Sequence, residues 1–179
     1  MSITRMWYDT PWLDVLLTPT IKPPMTIDFE DATGRCPVTD QQVSHWVRCT
    51  LIATLGHSEC TLAIRVVDAE EGLALNHQFR GKDTPTNVLS FPADVAIPDG
   101  PQLLGDIALC YPVIEQEAHM QKKAIDAHLA HLIVHGILHL LGRDHVCEID
   151  ASNMEAEEIG ILNELGYANP YLSEDEHRT

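Results

Sequence analysis

The run His135-Gly136-Ile137-Leu138-His139-Leu140-Leu141-Gly142-Arg143-Asp144-His145 carries the densest information in the chain. Its first two histidines are four apart, so on a helix both imidazoles stack on one face, a turn from each other. Two ring nitrogens then point at a common spot, at about the two ångströms that zinc requires. Gly142 adopts positive φ cheaply, so the helix can end there and the chain double back. That return brings His145 towards the same spot. Three neutral protein ligands leave a fourth tetrahedral position open, the arrangement of a catalytic rather than a structural zinc site. The plain alternative is a packed or solvated histidine on an apolar helix. His131 and His135 also form a rival pair at the same spacing, but only the pair 135/139 is followed by a glycine and a third histidine.

The spacing is that of the metzincin proteases, which read H-E-x-x-H-x-x-G-x-x-H with the glutamate as general base. Here Gly136 occupies the glutamate position and has no side chain to accept a proton. The cradle is kept while the peptidase base is missing, which argues for a different hydrolysis.

Working outward, residues 124–141 read as the helix that bears these histidines, preceded by a helix over about 113–121. Residues 103–110 read as a strand in which Asp106 is the polar exception. Residues 88–91 alternate as a shorter strand, stopped by Pro92, and 94–100 read as loop. Residues 80–87 form a polar loop around Thr84-Pro85-Thr86, following a short helix over 70–79. Residues 60–67 are β-branched and apolar and suggest a strand. Thr39 or Asp40 can cap a helix to about Leu55, closed by Gly56, and 25–29 suggest a first strand. Ser152 and Glu155 offer a capping box for a last helix ending near Gly166. The pattern is α+β: a small mixed sheet of about four strands with helices packed on it.

These residues also carry a family resemblance. The His135–His145 run is similar to the signature of the YbeY family of bacterial endoribonucleases. So are Phe79-Arg80-Gly81-Lys82-Asp83-Thr84-Pro85-Thr86-Asn87-Val88-Leu89-Ser90-Phe91-Pro92, Leu104-Gly105-Asp106-Ile107 and Leu165-Gly166-Tyr167. The likeness spans about residues 60–171. It departs at Arg143, where the family usually has tyrosine, and in residues 1–24, which look like an added segment. The resemblance implies a zincin-like metal helix and a single-strand-specific, metal-dependent endoribonuclease. It implies a role in ribosomal-RNA maturation, especially at the small-subunit 3′ end, and in ribosome quality control. It implies His135, His139 and His145 as ligands of one zinc per chain, and Arg80 as the catalytic-site arginine. The expected partners are single-stranded RNA, ribosomal RNA and the small ribosomal subunit with its assembly factors, without DNA or membrane.

Composition bounds this reading. A chain of 179 residues suits one domain with a sizeable core. We expect an extension over 1–24, one metallohydrolase domain over 25–171 and an acidic tail over 172–179. No apolar run has the length of a membrane span, and the N-terminus lacks a basic-then-apolar signal pattern. Five cysteines without a Cys-x-x-Cys pair read as thiols in a reducing cytoplasm; Cys147, close to His145, reads as a plain thiol ahead of a stray ligand. The net charge of −16 opposes broad RNA binding. Nine acidic residues lie beyond position 147 against one basic residue, Arg178, which softens the objection. RNA contact is expected to be local, near Arg80, Lys82, Lys122, Lys123 and Arg143.

Among the other polar residues, Asp106 has three open readings: orienting a ligand histidine, pairing with a core arginine, or facing solvent. Asp144 reads as turn chemistry ahead of proton acceptance. His128 and His131 read as non-ligands, His131 near enough to touch substrate or rim water. Glu155, Glu157 and Glu158 read as a solvated helix face. The general base is not identifiable from these residues. Two rival functions stand beside the nuclease: a zinc peptidase, and a non-catalytic ribosome-assembly factor whose zinc only stabilises the helix end.

Overall fold

The computed structural model of the protein describes residues 25–56, 60–93, 101–145 and 147–172. Nine elements follow in order among them: β1 (Thr26–Asp31), α1 (Asp40–Leu55), β2 (Cys60–Val67), α2 (Ala69–Arg80), β3 (Val88–Pro92), β4 (Gln102–Cys110), α3 (Tyr111–Met120), α4 (Ile125–Leu140) and α5 (Glu148–Glu164). The four strands make one mixed sheet in the order β1-β2-β4-β3. The first three are parallel, and β3 pairs antiparallel with β4 at the edge. The α+β architecture and strand number expected from the sequence are present. The readings for 1–24, 94–100 and 173–179 lie outside the described residues.

Local chemistry explains the boundaries. Thr39 caps α1 in a full capping box: its hydroxyl accepts from the Gln42 N–H, while the Gln42 side chain accepts from the Thr39 N–H. Gly56 closes that helix in the left-handed conformation. The last helix begins earlier than expected. Cys147 is its N-cap, with its sulfur accepting from the Asp150 N–H, and Ser152 lies inside the helix, donating to the Glu148 carbonyl. A thiol is a weak acceptor, so cap preferences favoured the serine over the residue that does the capping.

One face of the sheet is covered by α4. Gly136 abuts Ile107 of β4 and Ser90 of β3. Leu129, Ile133, Val134, Ile137 and Leu138 are completely enclosed, each contributing roughly 1.5–3 kcal/mol of burial. This helix is apolar nearly all round because α1, α3 and α5 surround its remaining sides. The histidine-bearing turns are therefore held on a helix packed against the sheet and three other helices.

The opposite face is partly open. Asp28, Ala63, Asp106 and Phe91 lie in one row across the four strands. With Glu71 and Leu75 of α2 they line a groove of about 250 Å³. Arg65 bridges this face, donating to Glu71 at 2.9 Å and pairing with Glu30. Asp106 is exposed here, on the far side of the sheet from Ile107 and α4; of its three readings, the structure realises the solvent-facing one.

Gly105 shows why the Leu104-Gly105-Asp106 stretch tolerates no side chain at its centre. The register between β2 and β4 shifts there, skipping Leu104, and Gly105 takes φ 128°. A Cβ on it would sit 2.1 Å from the Phe91 carbonyl oxygen. The edge strand can lie beside β4 only because that hydrogen is not a methyl.

Candidate metal centre

The end of α4 forms as the sequence suggests. Gly142 has φ 79°, the Gly142 N–H donates to the His139 carbonyl and the Arg143 N–H to the Leu138 carbonyl. These paired bonds are the Schellman closure of a helix. The chain then turns back, with the Asp144 carboxylate accepting from the His145 N–H at 2.7 Å. Asp144 thus serves the turn.

This return brings the three histidines together. Ligand atoms of His135, His139 and His145 all lie within 4.8 Å of one another. The Nε2 atoms of His135 and His139 are 3.1 Å apart, against about 3.3 Å between two ligands of a tetrahedral zinc. The His145 ring stacks on His135 at 5.9 Å and stands edge-on to His139 at 5.2 Å. Burial, then the neighbouring His135 and His145, push the His139 pKa down. That keeps His139 in the neutral form a metal ligand needs. The donor set fits a metal ion, and His145 is exposed, so the cluster opens to solvent on that side.

Behind the cluster lies a residue the sequence reading misplaced. Glu158 of α5 is fully buried, not solvated. Its Oε1 is 2.7 Å from His135 Nδ1 and its Oε2 is 2.9 Å from His131 Nε2; the Tyr171 hydroxyl also donates to Oε2. Burial alone would raise the Glu158 carboxyl, but the hydrogen bonds from His131, His135 and Tyr171 outweigh it and hold the pKa at about 2. The signal was available in the helical phase. Met154, Glu158, Ile161 and Leu162 recur at i, i+4, i+7 and i+8, so the glutamate lies in the buried stripe. Glu157 points elsewhere, to Arg143 at 3.0 Å.

His128 is a buried non-ligand whose Nε2 meets Glu117 at 2.9 Å; Glu117 in turn accepts from Asn87 at 3.0 Å. His131 is held by Glu158 rather than by the cluster. Cys147 is occupied at the α5 cap, and the five cysteines are free thiols.

Arg80 is the last residue of α2, not the first of a loop, and it is exposed. The preceding Phe79 packs edge-on against Phe91 of β3 at 4.7 Å. Phe91 follows Ser90, the residue beneath Gly136. Phe91 itself lies in the row with Asp106, so α2 meets β3 from the sheet face opposite α4, and Arg80 ends that helix. Neither Arg80 nor Lys82 engages a carboxylate among the described residues, unlike Arg143. The Lys123 ammonium donates to the Pro170 carbonyl at 2.5 Å.

The family model described as Endoribonuclease YbeY matches residues 27–166. An Endoribonuclease YbeY of Stenotrophomonas maltophilia (strain R551-3) is 54% identical over 133 residues, spanning 72% of this chain and 81% of its own length. One from Pseudomonas entomophila (strain L48) is 46% identical over 153 residues, spanning 84% of this chain and 96% of its own. The solution structure of a Thermotoga maritima protein superposes with a TM-score of 0.52 at 23% identity, covering 82% of this chain and 99% of that one; it shares the fold.

Proposed function

The chain belongs to the YbeY family of endoribonucleases and is an RNA-cleaving hydrolase, and from that premise we propose that it cuts unpaired RNA with one zinc held by His135, His139 and His145. The observation that carries the zinc reading is the pair of Nε2 atoms 3.1 Å apart with the other nitrogen of His135 committed to Glu158. Zinc in that cradle supplies Lewis-acid polarisation of water and of a phosphate oxygen.

Arg80, exposed at the end of α2, meets the scissile phosphate. Its guanidinium donates two parallel hydrogen bonds and stabilises charge that grows in the transition state. The peptidase alternative loses ground, because position 136 is packed against the sheet and offers no base. Glu158 is not that base either, since its oxygens already accept from three partners.

The preference for single strands follows from charge. Arg35 pairs with Glu115, Arg65 with Glu30 and Glu71, and Arg143 with Glu157. Few cations remain to track both backbones of a duplex, whereas Arg80 and Lys82 can hold a short unpaired segment. The physiological substrate we propose is ribosomal RNA, chiefly the small-subunit 3′ end, cut in the cytoplasm on the small subunit with its assembly factors and serving ribosome quality control. Residues 25–171 act as the metallohydrolase domain, 1–24 as an extension and 172–179 as an acidic tail. No helix among the described residues is long and apolar enough to cross a membrane. Matched single- and double-stranded RNAs test the substrate reading: the unpaired strand is cleaved and the duplex spared, whereas equal rates overturn it.

A further inference from the structure

We propose that Glu158 and Tyr171 form a positioning clamp that fixes the tautomer of His135 and thereby sets the metal affinity of the centre. The inference rests on the three-histidine metal reading and adds two residues to it.

An imidazole offers a metal only the nitrogen that carries no proton. Which nitrogen that is depends on the hydrogen bond made by the other. Glu158 Oε1 lies 2.7 Å from His135 Nδ1, while its Oε2 is already met by His131 and the Tyr171 hydroxyl; a carboxyl surrounded by donors serves as acceptor, so Nδ1 holds the proton. The lone pair then sits on Nε2, the atom that faces His139 Nε2 at 3.1 Å. Were the proton on Nε2 instead, the cradle would present an N–H and the buried carboxylate would face a lone pair.

Glu158 is itself pinned from two sides. His131, one turn before His135 on α4, approaches its second oxygen at 2.9 Å. Its Nδ1 is buried without a partner, so Nε2 carries the proton and donates. Tyr171 donates its hydroxyl to the same oxygen and sets its ring edge-on to His131 at 5.5 Å. The segment carrying Tyr171 is tied down next to it, where Lys123 donates to the Pro170 carbonyl. Residues from α4, from α5 and from the stretch beyond α5 thus converge on one carboxylate whose other oxygen holds a candidate ligand.

Two variants of the full-length protein test this, Glu158→Gln and Tyr171→Phe. The second removes a single oxygen from a half-exposed residue and keeps the test open should the first fold poorly. Zinc affinity is read by competition with a chromophoric chelator. The expected loss is about ten-fold or more for Glu158→Gln and several-fold for Tyr171→Phe. Long-range proton–nitrogen NMR on metal-free protein reads the tautomer directly: His135 is a single Nδ1–H species in the parent and loses that uniformity in Glu158→Gln. Affinities within about two-fold of the parent, with His135 still one tautomer, overturn the inference whatever happens to thermal stability. If the parent takes up no zinc, the metal reading itself fails, while the NMR arm still decides whether Glu158 orients His135.

Discussion

Completing the peptidase motif by Gly136→Glu is the substitution that sequence alone invites and the structure forbids. A Cβ at 136 would lie 3.0 Å from Ile107 Cδ1, 3.2 Å from Ser90 Oγ and 3.3 Å from Ile107 Cγ2. Ile107 and the body of α4 are both buried, so α4 must lift or Ile107 must leave its rotamer, at about 1–3 kcal/mol. The added carboxyl would point into the sheet without a built partner, at a further cost of about 1–3 kcal/mol. Replacing a mid-helix glycine returns less than about 1 kcal/mol. The net expectation is a loss of about 1–6 kcal/mol, or roughly 2–24 °C in Tm for a chain of this size. Thermal unfolding of the metal-free protein measures it without interference from zinc. Gly136→Ala, which keeps the clash and omits the carboxyl, should lose about 0–3 kcal/mol. A Gly136→Glu protein as stable as the parent, or one that hydrolyses peptides, would refute the packing argument and reopen the peptidase reading.

Three further outcomes follow from single contacts. Gly105→Ala drives a methyl into the Phe91 carbonyl and should cost more than about 3 kcal/mol in urea unfolding; near-parental stability would mean that the β3–β4 edge is not built as described. Arg80→Ala should keep metal content and Tm but lose most turnover on single-stranded RNA, with Arg80→Lys recovering part of it; parental turnover in Arg80→Ala would move the role to Lys82. Burial works to raise the Asp31 carboxyl, yet donors from Thr33 and Cys36 outweigh it and hold its pKa below 3.8. A depressed folded pKa means stability present above the unfolded value and lost as pH falls through the folded one. Asp31→Asn should therefore cost about 1–2 kcal/mol at neutral pH, with the gap closing below about pH 3.8; a gap independent of pH would contradict the ionised-acceptor role.

What could be read in the sequence was what depends on neighbours along the chain. The i,i+4 histidines, the helix-ending Gly142 and the third histidine lie within one short run, so their convergence is a matter of local geometry. The strands and α1 were legible for the same reason: alternation and the Thr39–Gly56 caps act over a few residues. Glu158 was not, because its partners His135 and His131 lie on another helix and it sits beside Glu155 and Glu157, which share its composition. Only helical phase separates the buried glutamate from its more accessible neighbours. The side chosen by Asp106 was obscured by the register shift at Leu104, which changes which residues of β4 face α4. Arg80 shows the reverse limit. Phe79 before it packs on β3, but a role at a phosphate depends on a ligand and not on neighbours along the chain.

Bound metal and RNA cleavage, measured on one preparation, decide whether one zinc held by His135, His139 and His145 cuts unpaired RNA. The parent should hold one zinc per chain and cleave single-stranded RNA. His139→Ala should lose both, while His131→Ala should keep its metal, since His131 touches Glu158 rather than the cluster. Stoichiometric zinc retained by His139→Ala, or undiminished cleavage of single-stranded RNA by that variant, would contradict the account.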